Sequence, residues 1–589
     1  MKGRKTIRRS FKEVYNASKA LFLWNYGLTL LQGILNAVPI MALQFFFDGI
    51  AESDGNAKGG MPVCLALGLV ILAKVMSYAI RAITNYNYEY YDLKISKDMI
   101  QKLNNKIGAW KAIQFEDSRQ LDQVERAYDG SRHLRSIVDT ILLIALYYVP
   151  EIVVIMIYLY TANIYLPVVI LVILATVFLI EKFQERFYIN IEKETAPLTR
   201  KIHAYSGYIS DLDYYKETKL LGLSSYFMDL LNKTFDQRRA IRWKSFGKAL
   251  RLDGCEKGIL LLGRVFIILI LFICVGYQAI TIGTFAALLT SLGDVFQMME
   301  GFVNTFSEGL TEVMEKVRNF FVVIDSGHEN MMHPEESRGN IDEIELKNIS
   351  FSYPNQTENV IKNLSLTIRD KEQIAIVGRN GSGKTTLVKI LMGLYEPQTG
   401  DVFYNGTKLG RNQLYKEQSV VFQNYGKYAV SLEENVRISD IDSERPTEDL
   451  LQTVGMKEDA ATGLNRQTVL SRKFGGIDLS GGEWQRVAIA RGFYRKSQWI
   501  YLDEPTASID PLEEGKLFRL FHDLGKDKTS IIVTHRLGSI RFVNRILVME
   551  KGEIIGDGTH EELLRQCELY RQIWNSQAKL FTDGIEKEA

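Results

Sequence analysis

At 589 residues the chain is longer than one hydrophobic core serves, so two or more domains are expected. Its 71 Lys and Arg nearly balance 70 Asp and Glu for a net charge of +1, and no basic face dominates, which argues against a nucleic-acid partner. The four scattered cysteines, Cys64, Cys255, Cys274 and Cys567, form neither a CxxC pair nor a metal spacing and read as isolated thiols.

The start, MKGRKTIRRSFKE, is as basic as the n-region of a signal peptide. The apolar run behind it is too long for an h-region and lacks a small-residue cleavage pattern, so an uncleaved cytoplasmic tail is expected. A helix needs about 20 mainly apolar residues to cross hydrocarbon. Six stretches qualify: 21–47, 62–82, 137–160, 164–180, 258–280 and 284–306. An even number of spans puts both ends on one side. Lys2, Arg4, Lys5, Arg8, Arg9 and Lys12 precede the first span, whereas the loop 48–60 carries Asp48, Glu52, Asp54 and only Lys58, so both ends are placed in the cytoplasm.

The inside segments 83–136 and 181–256 are long, charged and poor in Gly and Pro. They read as pairs of antiparallel helices continuing the spans well beyond the bilayer. Lys74, Glu151, Arg264, Asp294 and Glu300 fall inside apparent spans. Charge there is costly and faces a cavity or a partner, unless the helices project into water. Glu151, after Pro150, and Asp294, after Gly293, are the candidates for a substrate path, with Arg264 as a possible partner for either.

Residues 326–340 turn polar and read as a linker. Then an apolar strand at 374–377 runs into Gly378-Arg379-Asn380-Gly381-Ser382-Gly383-Lys384-Thr385-Thr386 and an apolar helix. This strand–GxxxxGK[ST]–helix pattern cradles phosphate on backbone N–H groups at a helix start. Lys384 is expected to reach the β- and γ-phosphates and Thr385 to bind Mg²⁺. Further on, Trp499-Ile500-Tyr501-Leu502 ends in Asp503 and Glu504. Asp503 suits the metal, and Glu504 suits polarisation of the attacking water. Between them Leu479-Ser480-Gly481-Gly482-Glu483 opens a second helix, another anion-ready N-terminus, usable on the same nucleotide or on a neighbour's.

With LSGGE between the P-loop and the acidic strand, residues 341–578 resemble the ABC transporter ATPase family. The resemblance implies that the P-loop of one subunit and the LSGGE of another clamp one ATP. It also implies roles for further residues. Tyr353 in FSYP would stack on adenine, and Gln423 in VVFQN would sense Mg²⁺. Asp510 in ASIDP matches the D-loop aspartate, and His535 in IIVTHR the switch histidine on the γ-phosphate. The catalytic set is then Glu504, His535 and Lys384, and the metal set Thr385, Gln423 and Asp503.

The first half resembles the exporter type of the same family. The expected fold class is an α-helical six-span membrane domain with long intracellular helices plus an α/β P-loop ATPase domain. The expected boundaries are 1–325, a linker at 326–340, the ATPase at 341–578 and a tail at 579–589. The type implies a dimer of half-transporters, a homodimer by the intact motifs or else a heterodimer, with short coupling helices in the inside segments. It also implies a bacterial cytoplasmic membrane location, ATP and Mg²⁺ as cofactors, and lipid as surroundings.

The stretches FGGIDLSGGEWQRVAIARGFYR, EPTASIDP and DYYKETKLLGL, with Trp484, Lys216 and Glu217, are most similar to Gram-positive lanthipeptide and bacteriocin exporters. A peptide or peptide-like cargo is therefore expected. The alternatives are multidrug efflux, lipid flipping, or a nucleotide-gated channel or sensor. Phe474 stands where many exporters carry a glutamate before LSGGE, and that residue's coupling role is not carried over. With no Cys/His peptidase domain ahead of the spans, a peptide would be cut elsewhere.

Overall fold

In hydrocarbon each backbone N–H and C=O must be paired within its own segment, so the apolar runs become helices. A computed structural model describes residues 2–52, 57–211, 213–309, 311–326, 340–408, 417–458, 463–506, 511–535 and 543–585. The chain divides into two units, Met1–Ile107 with Asp122–Ser326, and Gly108–Leu121 with Gly327–Ala589.

The basic start forms helix α1 (Lys2–Ala17), whose Thr6, Ser10 and Val14, four residues apart, make one buried stripe. Arg9 on its flank is paired with Asp325 of α10 (Thr311–Asp325), and the guanidinium lies 4.2 Å over the Phe321 ring.

The spans lie in α2 (Lys19–Glu52), α3 (Ala57–Gly108), α4 (Ser118–Leu143) with α5 (Val149–Ala162), α6 (Tyr165–Ser210), α8 (Ser224–Gly276) and α9 (Ile282–Gly309). Among the described residues, six helical stretches are long and apolar enough to cross a membrane. They correspond to the six predicted stretches, and α3, α6 and α8 extend far past the apolar part.

A π turn, Ile144–Tyr148, joins α4 to α5. Pro150 accounts for it, since proline offers no N–H and its ring crowds the carbonyl four residues earlier, so the turn widens. Gly33 lets α2 close on that turn, where a Cβ would sit 2.5 Å from the Tyr147 carbonyl oxygen. The core beneath is Leu260, Ile267 and Leu271 of α8, Ile170, Ile173 and Val177 of α6, and Phe296, Met299 and Val303 of α9. Leu261, Leu262, Phe266 and Leu269 on the other face of α8 stay more than half exposed, a surface suited to lipid.

Both inside segments are helix pairs with a short element at the tip. The tips are a 3₁₀ turn, Ala112–Glu116, between α3 and α4, and helix α7 (Tyr215–Leu220) between α6 and α8. The first tip lies in the second unit, where Ala112 and Ile113 pack on its core.

The second unit holds two sheets. One runs in the order β2-β1-β4-β5, with β1 (Glu343–Phe351), β2 (Ile361–Arg369), β4 (Thr399–Tyr404) and β5 (Thr407–Lys408), all antiparallel. The other runs β10-β9-β3-β8-β7-β6, with β3 (Gln373–Gly378), β6 (Gln418–Val421), β7 (Trp499–Asp503), β8 (Thr529–Val533), β9 (Arg545–Glu550) and β10 (Glu553–Gly558). Its β3, β6, β7, β8 and β9 are parallel, and every residue of β3, β7 and β8 is buried. Apolar runs without alternation mark strands covered on both faces. The C-terminal ends of β3 and β7 are where functional groups gather in such sheets.

Candidate functional site

Strand β3 delivers Gly378 to the start of a loop that ends in α11 (Lys384–Leu391). The backbone here admits little but glycine. A Cβ on Gly378 would lie 2.2 Å from the Met549 carbonyl oxygen, and Gly383, the helix N-cap, sits at φ +99°. Asn380 and Gly381 form the exposed lip of the loop. Ser382 is buried and its hydroxyl has no partner.

Lys384 folds over the loop, its ammonium 3.0 Å from both the Gly378 and Arg379 carbonyl oxygens. Burial pushes its pKa below the ordinary lysine value, against the pull of Glu504 and Asp503. An orphaned buried hydroxyl, a desolvated cation and a glycine-only cradle at a helix start together fit a polyphosphate.

Thr385 donates to Asp503 Oδ1 at 3.2 Å. Asp503 is nearly fully buried, and desolvation raises its pKa while the Thr385 hydrogen bond lowers it. A hydroxyl and a carboxylate side by side are hard oxygen ligands and fit a magnesium ion.

Glu504 follows on a left-handed backbone, φ +48°, pinned by its N–H to the Val533 carbonyl at 3.0 Å. Its carboxylate is bracketed: Gln423 Nε2 donates to one oxygen at 2.8 Å, and His535 Nδ1 lies 3.3 Å from the other. Gln485 Nε2 reaches the Glu504 carbonyl at 3.5 Å, a contact the motifs did not signal.

Tyr353 is half-buried, its hydroxyl 3.0 Å from Thr386 Oγ1 and its ring edge-on to Phe351 and Tyr395. Ser480 caps α12 (Gly481–Tyr494) in a reciprocal box, with the Glu483 N–H donating to its hydroxyl at 3.3 Å and its own N–H donating to Glu483 at 2.7 Å. The helix thus starts at Gly481 and Gly482, ahead of the predicted apolar part, and Tyr425 donates to the Gly481 carbonyl at 2.8 Å. Asp510 lies outside the described residues.

Residues 361–507 match the family described as ABC transporter. That stretch is an ABC transporter ATPase domain. Over 99% of its length and 96% of the relative's, it is 28% identical to the subtilin transport ATP-binding protein SpaT of Bacillus subtilis. The nisin transport ATP-binding protein NisT of Lactococcus lactis subsp. lactis is 26% identical over 97% of the chain and 96% of its own length. The fold is that of a bacterial Atm1-family ABC exporter solved with ATP bound, with TM-score 0.77, 18% identity, and 95% and 99% of the two chains covered. It is a multi-pass membrane protein that binds and hydrolyses ATP.

In the membrane unit of this transporter, Glu151 is buried with Oε2 unpartnered. Asp294 pairs with Lys74 at 3.3 Å. The expectation that Arg264 partners either acid is corrected. Its guanidinium lies 4.9 Å over the Phe296 ring, because α8 turns that position onto α9. Glu300 is 3.6 Å from Lys257. The four cysteines are all free, Cys64 and Cys255 exposed and Cys274 and Cys567 buried. Phe474 is 71% exposed on a 3₁₀ turn, and Trp484 is a core residue.

Proposed function

We propose that this transporter exports a peptide or peptide-like natural product from the bacterial cytoplasm, as a dimer of two copies. The carrying observation is the end-to-end similarity to the subtilin and nisin transport proteins. The membrane domain covers 1–325 and the ATPase 341–578, both on the cytoplasmic side apart from the spans.

In the ATPase the backbone of Gly378, Asn380, Gly381, Ser382 and Gly383 binds the phosphates, with Thr386 closing the floor beneath Tyr353. Lys384 moves from the Gly378 and Arg379 carbonyls onto the phosphate charge. Thr385, Asp503 and Gln423 hold Mg²⁺, which when bound neutralises phosphate oxygens. Glu504 orients the attacking water and accepts its proton, and His535 holds the γ-phosphate end of the site. Tyr353 stacks on adenine. Ser480, Gly481, Gly482 and Glu483, with Asp510, serve the site of the second copy.

One ATPase domain cannot supply both halves of such a clamp, which supports the dimer. The exposed apolar tip around α7 supports it too: Tyr214 is 49%, Leu220 86% and Leu221 59% exposed, a surface suited to a partner's ATPase domain. Glu151 and Asp294 lie on the substrate side of the spans, with Arg264 of α8 packed on Phe296 of α9.

The test is transport in proteoliposomes, with precursor-type peptides, a cationic drug and a labelled phospholipid offered in turn. ATP-dependent accumulation of peptide, lost in Glu504→Gln and Lys384→Ala, is expected. Movement of only drug or lipid rejects the cargo, and wild-type ATPase in Glu504→Gln rejects the base.

A further inference from the structure

Three membrane helices carry polar residues at helical spacing on facing sides. On α2 these are Asn25, Thr29, Gln32 and Asn36, and on α3 Lys74, Ser77, Arg81, Thr84 and Tyr88. Along α4, the π turn and α5 they are Arg135, Asp139, Tyr147 and Glu151, with Tyr147 inside the turn. Steps of three and four residues place each set on one face.

The structure joins the three faces. Tyr26 donates to Asp139, Asn36 donates to the Tyr147 hydroxyl at 2.6 Å, and Ser77 donates to Asn36 Oδ1 at 2.7 Å. Arg135 donates to the Tyr88 carbonyl at 2.6 Å and stacks 3.7 Å over that ring. It is a polar seam through an apolar unit.

The seam opens into a cavity of about 410 Å³ at the end of the spans nearer the N-terminal tail, lined by Asn25, Tyr26, Arg81, Tyr88, Asp139 and Tyr147 among others. Two features of its wall ask for a guest. Asn25 is 5% exposed, yet neither its Nδ2 nor its Oδ1 has a partner. A buried amide unpaired at both atoms is unfavourable until a donor and an acceptor reach it together.

The second feature is Arg81. Of the acids around it, Asp139 lies 3.0 Å from Arg135, an ionic contact not aligned as a hydrogen bond, and Asp294 lies 3.3 Å from Lys74. Glu151, its Oε2 unpartnered, is within electrostatic reach of Arg81 but makes no ion pair with it, and the Tyr147 hydroxyl is the polar neighbour of Arg81. Among the described residues no carboxylate is within ion-pair distance of Arg81, although it faces the cavity from a membrane helix. A guanidinium so placed selects a planar anion, which it grips with two parallel hydrogen bonds.

We propose that this cavity receives the C-terminal end of a peptide cargo, with Arg81 taking the carboxylate and Asn25 an adjoining peptide unit. The inference rests on the peptide-export reading. A peptide unit presents one N–H and one C=O, the complement of a primary amide. Tyr26, Tyr88 and Tyr147 give the cargo's terminal side chain aromatic walls with polar tips.

The test is calorimetric titration of the full chain in nanodiscs. The probes are N-acetyl-Leu-Phe-Leu with a free carboxylate and the same peptide as its C-terminal amide. The carboxylate form is expected to bind about tenfold tighter, the scale of one charge-assisted pair. Arg81→Met erases that preference, Arg81→Lys keeps part of it because the charge survives, and Asn25→Leu weakens both forms. Should Arg81→Met not fold, Arg81→Gln carries the same test.

Equal binding of the two forms by the wild type overturns this site while leaving peptide export standing. A preference that survives Arg81→Met and Arg81→Gln overturns it as well. Binding of neither form by the wild type overturns it together with the peptide-export reading.

Discussion

The Tyr395 hydroxyl donates to the Glu116 carboxylate, and Lys389 lies 3.4 Å from the same oxygen. The tyrosine hydrogen bond first, and then Lys389, hold Glu116 below the usual carboxylate range, opposed by partial burial. The Tyr395 ring is stacked on Phe351 at 5.3 Å and edge-on to Tyr353 at 5.8 Å. Beyond Tyr353, Asn355 accepts from Arg119 at 2.6 Å and reaches Asp117 at 3.4 Å. The first inside tip therefore grips the ATPase unit on both sides of the ring assigned to adenine. Glu116→Ala is expected to raise the KM for ATP about three- to tenfold with little change in kcat, less than the full worth of a hydrogen bond to a charged group because the contact reaches the nucleotide only through the Tyr353 ring. Tyr395→Phe keeps the ring and shifts KM the same way. Steady-state ATPase assays on both variants decide it, and an unchanged KM in both removes the tip from nucleotide binding.

The raised pKa of Asp503 gives Mg²⁺ binding a direction with pH. Burial favours the protonated carboxyl, whereas a cation beside Thr385 needs the carboxylate. Lowering the pH through the raised pKa therefore makes the proton compete with the metal, and affinity falls by up to about tenfold per pH unit below it. Titration of Mg²⁺ against nucleotide binding at several pH values measures this. Asp503→Asn should bind weakly with a flat profile, and a wild-type profile equally flat contradicts the assignment.

From Tyr353 to His535 the ATPase site was legible because local motifs carry it. A glycine cradle, two carboxylates after an apolar strand and a histidine after another need only the parallel sheet to bring them together. The link from Gln485 to the Glu504 carbonyl was not legible, since a glutamine inside a helix has no pattern of its own. In the membrane unit the spans could be read from length and hydropathy, but not the rotation of each helix. Arg264 was therefore offered to Asp294, whereas Lys74 is the residue that meets it. The polar stripes stood in the sequence at steps of three and four. Their meeting depended on the π turn before Pro150, which shifts Tyr147 and Glu151 relative to Asp139. Nor does a charged helical pattern reveal that Gly108–Leu121 sits with the ATPase unit.

Gly33 and Gly27 stand on the same helix and should respond differently to a methyl group. A Cβ at Gly33 would press to 2.5 Å from the Tyr147 carbonyl, whereas none of the described atoms considered lies within 4 Å of one at Gly27. Gly33→Ala is expected to cost about 1–3 kcal/mol as overpacking pushes α2 off the π turn. Gly27→Ala should be neutral or slightly stabilising by about 0.5–1 kcal/mol, as alanine is the better helix former. Unfolding in detergent followed by tryptophan fluorescence compares the two. Equal effects would mean that α2 does not close on the turn.

Gln423 and His535 approach opposite oxygens of the Glu504 carboxylate, so their contributions to hydrolysis should not be independent. Each restrains one rotation of the same side chain, and with either gone the carboxylate is already free to swing from the water it orients. Gln423→Ala and His535→Ala are each expected to lower single-turnover hydrolysis about 10- to 100-fold, a loss of about 1.4–2.7 kcal/mol of transition-state stabilisation. The double variant should then fall well short of the product of the two losses, because groups holding one residue are coupled. Nucleotide binding, measured separately, should weaken more in His535→Ala, whose ring is assigned to the γ-phosphate end. Strictly multiplicative losses would show the two side chains acting on separate steps, and the bracketed carboxylate would not be the reason for either.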